Sequence, residues 1–145
     1  MRLWHYKLIP YLPKSQLIAQ WRELNSIYKK QDKHILINYI YEYDKEDLWK
    51  YSNLVIDEMN KRGFKIRSLE NYYNTFGWVI PLDEYIHFPN HPFERHHNMR
   101  YLAQCYYNLQ EKFDRGQKDF TPEIMAEINK MFANEIMKER GDKCR

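Results

Sequence analysis

Glu23 is the first residue in this chain whose type and setting suit general acid or base chemistry. It follows Gln16 by seven residues and Ala19 by four, a spacing that puts all three on one stripe of a helix. The stripe runs beside Leu17, Trp21, Leu24 and Tyr28, whose apolar repeat marks a buried face, so a carboxylate at 23 can border a groove. A lone helical Glu is ordinarily a solvated charge, and its neighbour Arg22 ordinarily a surface cation or a local ion pair worth at most about 1 kcal/mol. Histidine offers a second chemistry. His87, His91, His96 and His97 fall within one short segment together with Glu94, and imidazole with carboxylate is a ligand set for zinc or another transition metal. A metal-dependent hydrolase is therefore one reading. The spacing fits no standard site, and adjacent His96 and His97 project about 100° apart on a helix, so the segment reads better as a His-rich loop and helix start touching DNA or solvent. No metal and no cofactor is expected. His5 and His34 titrate in a range useful for proton transfer, although packing or solvation accounts for either. Cys105 and Cys144 lack the paired spacing of zinc or redox motifs and read as free thiols.

The elements that must position these residues are helical. Pro13 opens a first helix, and Leu17, Trp21, Leu24 and Tyr28 recur along it until the polar run Lys29-Lys30-Gln31-Asp32-Lys33. From Ile35 to Tyr43 the chain is rich in Ile and Tyr, which suits an irregular segment or a short strand. Asp44 has the type of an N-cap, Asp47 favours the positive helix end, and Leu48, Trp49, Val55, Ile56 and Met59 supply the apolar stripe of a second helix. That helix should stop at Lys61-Arg62-Gly63-Phe64, with Gly63 in the left-handed cap and Phe64 closing an apolar contact. Lys65 to Pro92 carries Gly77, Pro81 and Pro89 without a sustained period and reads as a long wrapped loop. A third helix is expected from about Phe93 to Arg115, stopped by Gly116, and a fourth from Thr121 as N-cap with Pro122 at its first position. The tail from Gly141 to Arg145 should fray. The expectation is an all-α fold: a single domain over residues 1–145 with about four helices and a long loop between the second and third.

Composition limits the partners. A chain of 145 residues can bury a core without disulfide or metal staples. No run approaches the roughly 18 apolar residues of a membrane span, and the segment from Met1 to Leu8 lacks the features of a secretory signal. A cytoplasmic monomer away from membranes is expected. The net charge of +3 permits a polyanionic partner without the strongly basic balance, a pI above about 9, of many nucleic-acid-binding domains. Aromatic residues make up 17% of the chain, with 13 Tyr and 4 Trp. Such rings fill a core or stack on bases.

Leu17, Ala19, Trp21, Arg22, Glu23 and Leu24 carry a resemblance. In register from the N-terminus and without a gap, they resemble the first helix of the pyrimidine dimer DNA glycosylase (phage endonuclease V) family, which has another aromatic at the place of Trp21. Tyr43-Asp44-Lys45 and Lys61-Arg62-Gly63-Phe64-Lys65-Ile66 continue the similarity, and Leu109-Gln110-Glu111-Lys112 matches loosely. The resemblance implies a mostly helical DNA repair glycosylase with an abasic-site lyase activity, acting on damaged or abasic double-stranded DNA by base flipping. An N-terminal α-amine would attack the sugar carbon, and a Schiff base would permit β-elimination. Arg2 is too large for ready removal of the initiator Met, so the amine would be that of Met1. An α-amine titrates near about 7.7 to 8.0 and Lys near about 10.4, so far more of the terminus is nucleophilic at neutral pH. The resemblance makes Glu23 the acid/base group and gives Arg22 a fixed charge for phosphate or the extruded nucleotide. Arg2, Lys14 and Gln16 join Arg22 as DNA contacts, with Gln16 where the family carries His and Ser26 where it carries Arg. Helix four replaces the family's aromatic-rich C-terminal segment. The alternative reading is a DNA-binding module without catalysis.

Overall fold

The computed structural model of the chain describes residues 2–77 and 91–143. Met1, the stretch 78–90 that contains His87, and Cys144 with Arg145 lie outside the described residues.

After an extended start the chain forms a 3-10 helix at Tyr6–Tyr11, then α1 at Lys14–Lys29. Pro13 occupies the N-cap of α1, and its carbonyl accepts the N–H groups of Gln16 and Leu17, both at 3.0 Å. The buried face of α1 carries Leu17, Trp21, Leu24 and Ile27, the repeat expected of an amphipathic helix. A second 3-10 helix, Asn38–Glu42, follows a turn at residues 35–37. The segment from Ile35 to Tyr43 is thus irregular and not a strand.

Helix α2, Lys45–Lys61, begins after Asp44, whose backbone is extended but whose carboxylate makes no capping bond. Its end is a Schellman motif: Phe64 N–H donates to Met59 O at 2.9 Å and Gly63 N–H to Asn60 O at 3.0 Å, with Gly63 at φ 76°. Arg62 braces this end, donating to the carbonyls of Leu12 and Pro10 at 2.7 and 3.1 Å and to Glu58 at 3.0 Å.

The loop expected from Lys65 to Pro92 contains a helix, α3 at Leu69–Phe76. Tyr72 and Phe76, four residues apart, are its buried positions, and two residues are too few to display a period. The next helix, α4 at Met99–Asp114, begins later than about Phe93. Phe93 has φ 56°, a left-handed backbone that no α-helix passes through, and its N–H donates to Asp47 at 2.9 Å. Asn98 caps α4 instead, accepting the Tyr101 N–H at 3.0 Å. Gly116 ends it at φ 73°, with the N–H of Gln117 donating to Lys112 O at 3.0 Å. Thr121 caps α5, Pro122–Lys143, through Oγ1 and the Ile124 N–H at 3.2 Å. Helix α5 continues through Gly141, where fraying is expected from the sequence.

Among the described residues there are no strands, and the fold is all-α. Helix α1 packs on α2 and α3, α4 on α5, and the first 3-10 helix on both α2 and α5. The buried apolar side chains form one cluster, from Leu3 to Phe132, in which each fully buried Leu contributes about 1.5–3 kcal/mol. No helix among the described residues is long and apolar enough to cross a membrane.

Candidate active site

The extended N-terminal segment is held on α1 by one amide. Gln20 is 1% exposed. Its Oε1 accepts the Trp4 N–H at 2.8 Å and the Tyr51 hydroxyl at 2.9 Å. Its Nε2 donates to the Arg2 carbonyl and to Glu23 Oε2, both at 3.1 Å. The amide has only this orientation, because a backbone N–H cannot accept and a carbonyl cannot donate. Tyr51, fully buried on α2, shares its single proton between Gln20 and the Trp4 carbonyl at 2.6 Å, and burial keeps that phenol protonated by raising its pKa.

Glu23 is the end of this chain of bonds. Its Oε2 also accepts the Arg2 N–H, at a long 3.4 Å. Partial burial pushes the Glu23 carboxyl above the usual carboxylate range, while the Arg2 N–H, the N-terminal charge, Gln20 and Arg22 pull it down. A carboxyl with a raised pKa exchanges a proton more readily near neutral pH than a solvated one.

Glu23 opens onto a depression of about 260 Å³ that Arg2, Gln16, Ala19 and Gln20 also line. Three residues expected at the site, Arg2, Gln16 and Glu23, therefore line one depression. The same depression is also lined by residues that the sequence did not single out for the site: Asn108 and Lys112 from α4, and Leu36 from the turn before the second 3-10 helix. The guanidinium of Arg2 lies over the Tyr101 ring, 5.8 Å from its centroid. Met1, expected to carry the amine, lies outside the described residues.

Arg22 and Lys14 are elsewhere. They line a separate depression of about 520 Å³ whose cations also include Lys65 and Arg67 and whose apolar floor includes Trp21 and Phe64. The Lys14 ammonium sits over the Phe64 ring at 5.3 Å, and the Trp21 indole N–H holds the Arg67 carbonyl at 2.7 Å. Helix α1 thus contributes Glu23 to one depression and the cations Lys14 and Arg22 to another.

Among the described residues, His5, His96 and His97 are occupied by structural bonds. His97 Nδ1 accepts the Tyr6 N–H at 3.2 Å, which leaves its proton on Nε2, 2.7 Å from the Tyr39 hydroxyl. His5 Nδ1 accepts the Lys7 N–H at 3.1 Å, and its Nε2 donates to the His97 carbonyl at 2.9 Å. Burial lowers the His5 pKa to about 4 and pushes that of His97 lower still, so both are neutral at pH 7 with no ring lone pair free for a metal. His96 meets the Tyr43 hydroxyl at 2.6 Å and Glu42 at 3.3 Å. Among the described residues no three His, Cys, Asp or Glu side chains converge on a common point.

A family model described as pyrimidine dimer DNA glycosylase matches residues 1–71. No curated protein and no solved structure matches the chain. The matched stretch contains the extended start, α1 and α2, and with them Arg2, Gln16, Gln20 and Glu23; Asn108 and Lys112 lie beyond it. Over residues 1–71, just under half of its length, this chain is similar to the pyrimidine dimer DNA glycosylase family.

Proposed function

We propose that the protein is a DNA repair glycosylase with an associated abasic-site lyase activity, in which the Met1 α-amine is the nucleophile and Glu23 the acid/base group. The amine would form a bond to the sugar C1′ as the bond to the damaged base breaks, the base leaving with a proton. Opening of the sugar ring, in which the C1′–O4′ bond breaks, O4′ takes up a proton and the nitrogen gives one up, would then yield the Schiff base, which would lose a C2′ proton to Glu23 and expel the 3′ phosphate by β-elimination. The observation that carries this reading is the bond between the Arg2 N–H and Glu23 Oε2 at 3.4 Å. Two carbon atoms separate the Met1 amine from that nitrogen, so covalent geometry keeps the amine within about 7 Å of the carboxylate whatever its conformation. A reacting sugar carbon can be bracketed by two groups at that separation.

Borohydride reduction during incubation with abasic duplex DNA should attach the native chain covalently, and acetylation of the terminus should abolish trapping. Glu23→Gln keeps size and hydrogen bonding but cannot take a proton, so strand cleavage should fall about 100- to 10,000-fold while DNA binding changes little. Trapping by the acetylated protein would move the nucleophile to a lysine. Binding without trapping or cleavage by the native chain would replace the enzyme with a DNA-binding module.

A further inference from the structure

We propose that the exposed aliphatic tip formed by Ile35 and Leu36 is a wedge that enters the base stack of bound DNA beside the reacting nucleotide. The inference rests on the glycosylase reading and extends it to a part of the chain that no catalytic role explains. Ile35 is 79% exposed and Leu36 42%, two adjacent branched side chains that the core does not use.

The tip is built to be stiff. The His34 carbonyl accepts the N–H groups of Ile37 and Asn38, both at 2.9 Å, and the His34 ring accepts the Leu36 N–H at 3.1 Å. Asp32 caps the His34 N–H at 2.9 Å, and the Tyr41 hydroxyl holds the Asp32 carbonyl at 2.6 Å. Ile37, fully buried, anchors the turn from below. The N–H groups of His34, Leu36, Ile37 and Asn38 are thus bonded within the turn itself, which holds the two aliphatic side chains in place.

Charge and position select the partner. Lys29, Lys30 and Lys33 are exposed just before the tip, and cations flanking an apolar point suit a phosphate backbone with bases behind it. Leu36 also forms part of the wall of the depression that holds Glu23 and Arg2. An enzyme acting on a base must first take it out of the stack, and an aliphatic side chain pushed between base steps fills the space that unstacking opens. A lipid surface would suit the lysines and the tip alike, but it gives no reason for the tip to border Glu23.

The test compares the native chain with an Ile35→Ser/Leu36→Ser double variant, whose altered side chains face solvent and whose fold is checked by thermal melting. Duplexes carry a tetrahydrofuran abasic-site analogue with 2-aminopurine on either side of it or opposite it, and binding is followed separately by anisotropy. The native chain should raise 2-aminopurine fluorescence in at least one duplex. The variant should bind with the same salt dependence and lose that rise. Its cleavage of a natural abasic site should fall roughly ten-fold or more in paired DNA and recover where the site lies in an unpaired bubble, since unstacking there costs little. A rise equal to the native one in the variant, or binding by the native chain without any rise, would overturn the wedge and leave the glycosylase reading intact. Absence of native binding in the anisotropy arm would remove both. Flotation of native but not variant protein with phosphatidylserine vesicles, at unchanged fluorescence, would assign the tip to a membrane and overturn the proposal.

Discussion

Gln20 joins two requirements in one side chain. It pins the extended segment at Arg2 and Trp4, and it donates to the carboxylate that faces the depression. The donated bond favours the ionised form of Glu23, against the burial that disfavours it. Gln20→Leu removes that donor, so the Glu23 pKa should rise further above its usual range. On the proposed mechanism, in which Glu23 accepts a proton, the acid limb of the cleavage pH profile should shift to higher pH. The same variant leaves the Trp4 N–H without its acceptor, a loss of about 1–3 kcal/mol that a melting curve will register. The limb position separates the two effects: a destabilised but correctly poised site keeps its limb where it was. An unshifted limb in folded Gln20→Leu protein would confine Gln20 to holding the chain in place.

Helix α1 presents different chemistry on two sides, and the cations Arg22 and Lys14 belong to the groove that Glu23 does not line. Contacts there would position the duplex without taking part in chemistry, since phosphate contacts act mainly through counterion release. Arg22→Ala and Lys14→Ala should each lower the slope of log affinity against log salt by about 0.9 and reduce cleavage only through binding. A loss of turnover at saturating DNA would place either residue in the reaction instead. Helix α1, both Schellman stops and the Thr121-Pro122 start were legible because each is written in local residue types, and the stripe of Gln16, Ala19 and Glu23 was legible from its spacing. Helix α3 was not, being eight residues long, with Ser68 before it at φ 63° and no side-chain cap bond. The true start of α4 depends on the left-handed Phe93 and its bond to Asp47, a long-range contact that no local pattern encodes. Gln20 escaped for the same reason: a glutamine on a helix signals nothing until Trp4 and Tyr51 come to meet it. Asn108, Lys112 and Leu36 reach the depression only through the packing of distant segments.

His5 and His97 tie the N-terminal segment that carries Arg2 and Trp4 to the part of the chain beyond the family match. Their rings stack at a centroid distance of 5.3 Å, Tyr6 stacks on His91 at 4.5 Å, and Tyr101 lies 5.0 Å from His97. The Tyr101 hydroxyl closes the arrangement on the Leu3 carbonyl at 2.5 Å. Both imidazoles are buried neutral, with pKa values below their ordinary value of 6.5, about 4 for His5 and lower for His97. The unfolded chain therefore binds more protons than the folded one below pH 6.5, so stability should be complete above that pH and decline as the pH falls toward 4 and below. His5 alone accounts for a loss on the order of 3 kcal/mol across that interval, at about 1.36 kcal/mol per pH unit. Glu135, paired with Lys7 at 2.7 Å, has its pKa lowered from 4.5, so the loss of its charge falls at the acid end of the interval and below. Urea unfolding between pH 7.5 and 4.5 should show the midpoint falling from about pH 6.5 downward. A His5→Leu/His97→Leu variant should be less stable at pH 7.5 and nearly flat across the upper part of the range, because the groups that titrate there have been removed. A native midpoint that holds steady or rises as the pH falls through that window would show that these histidines are not buried as neutral bases, and the attachment of the N-terminal segment would need another explanation.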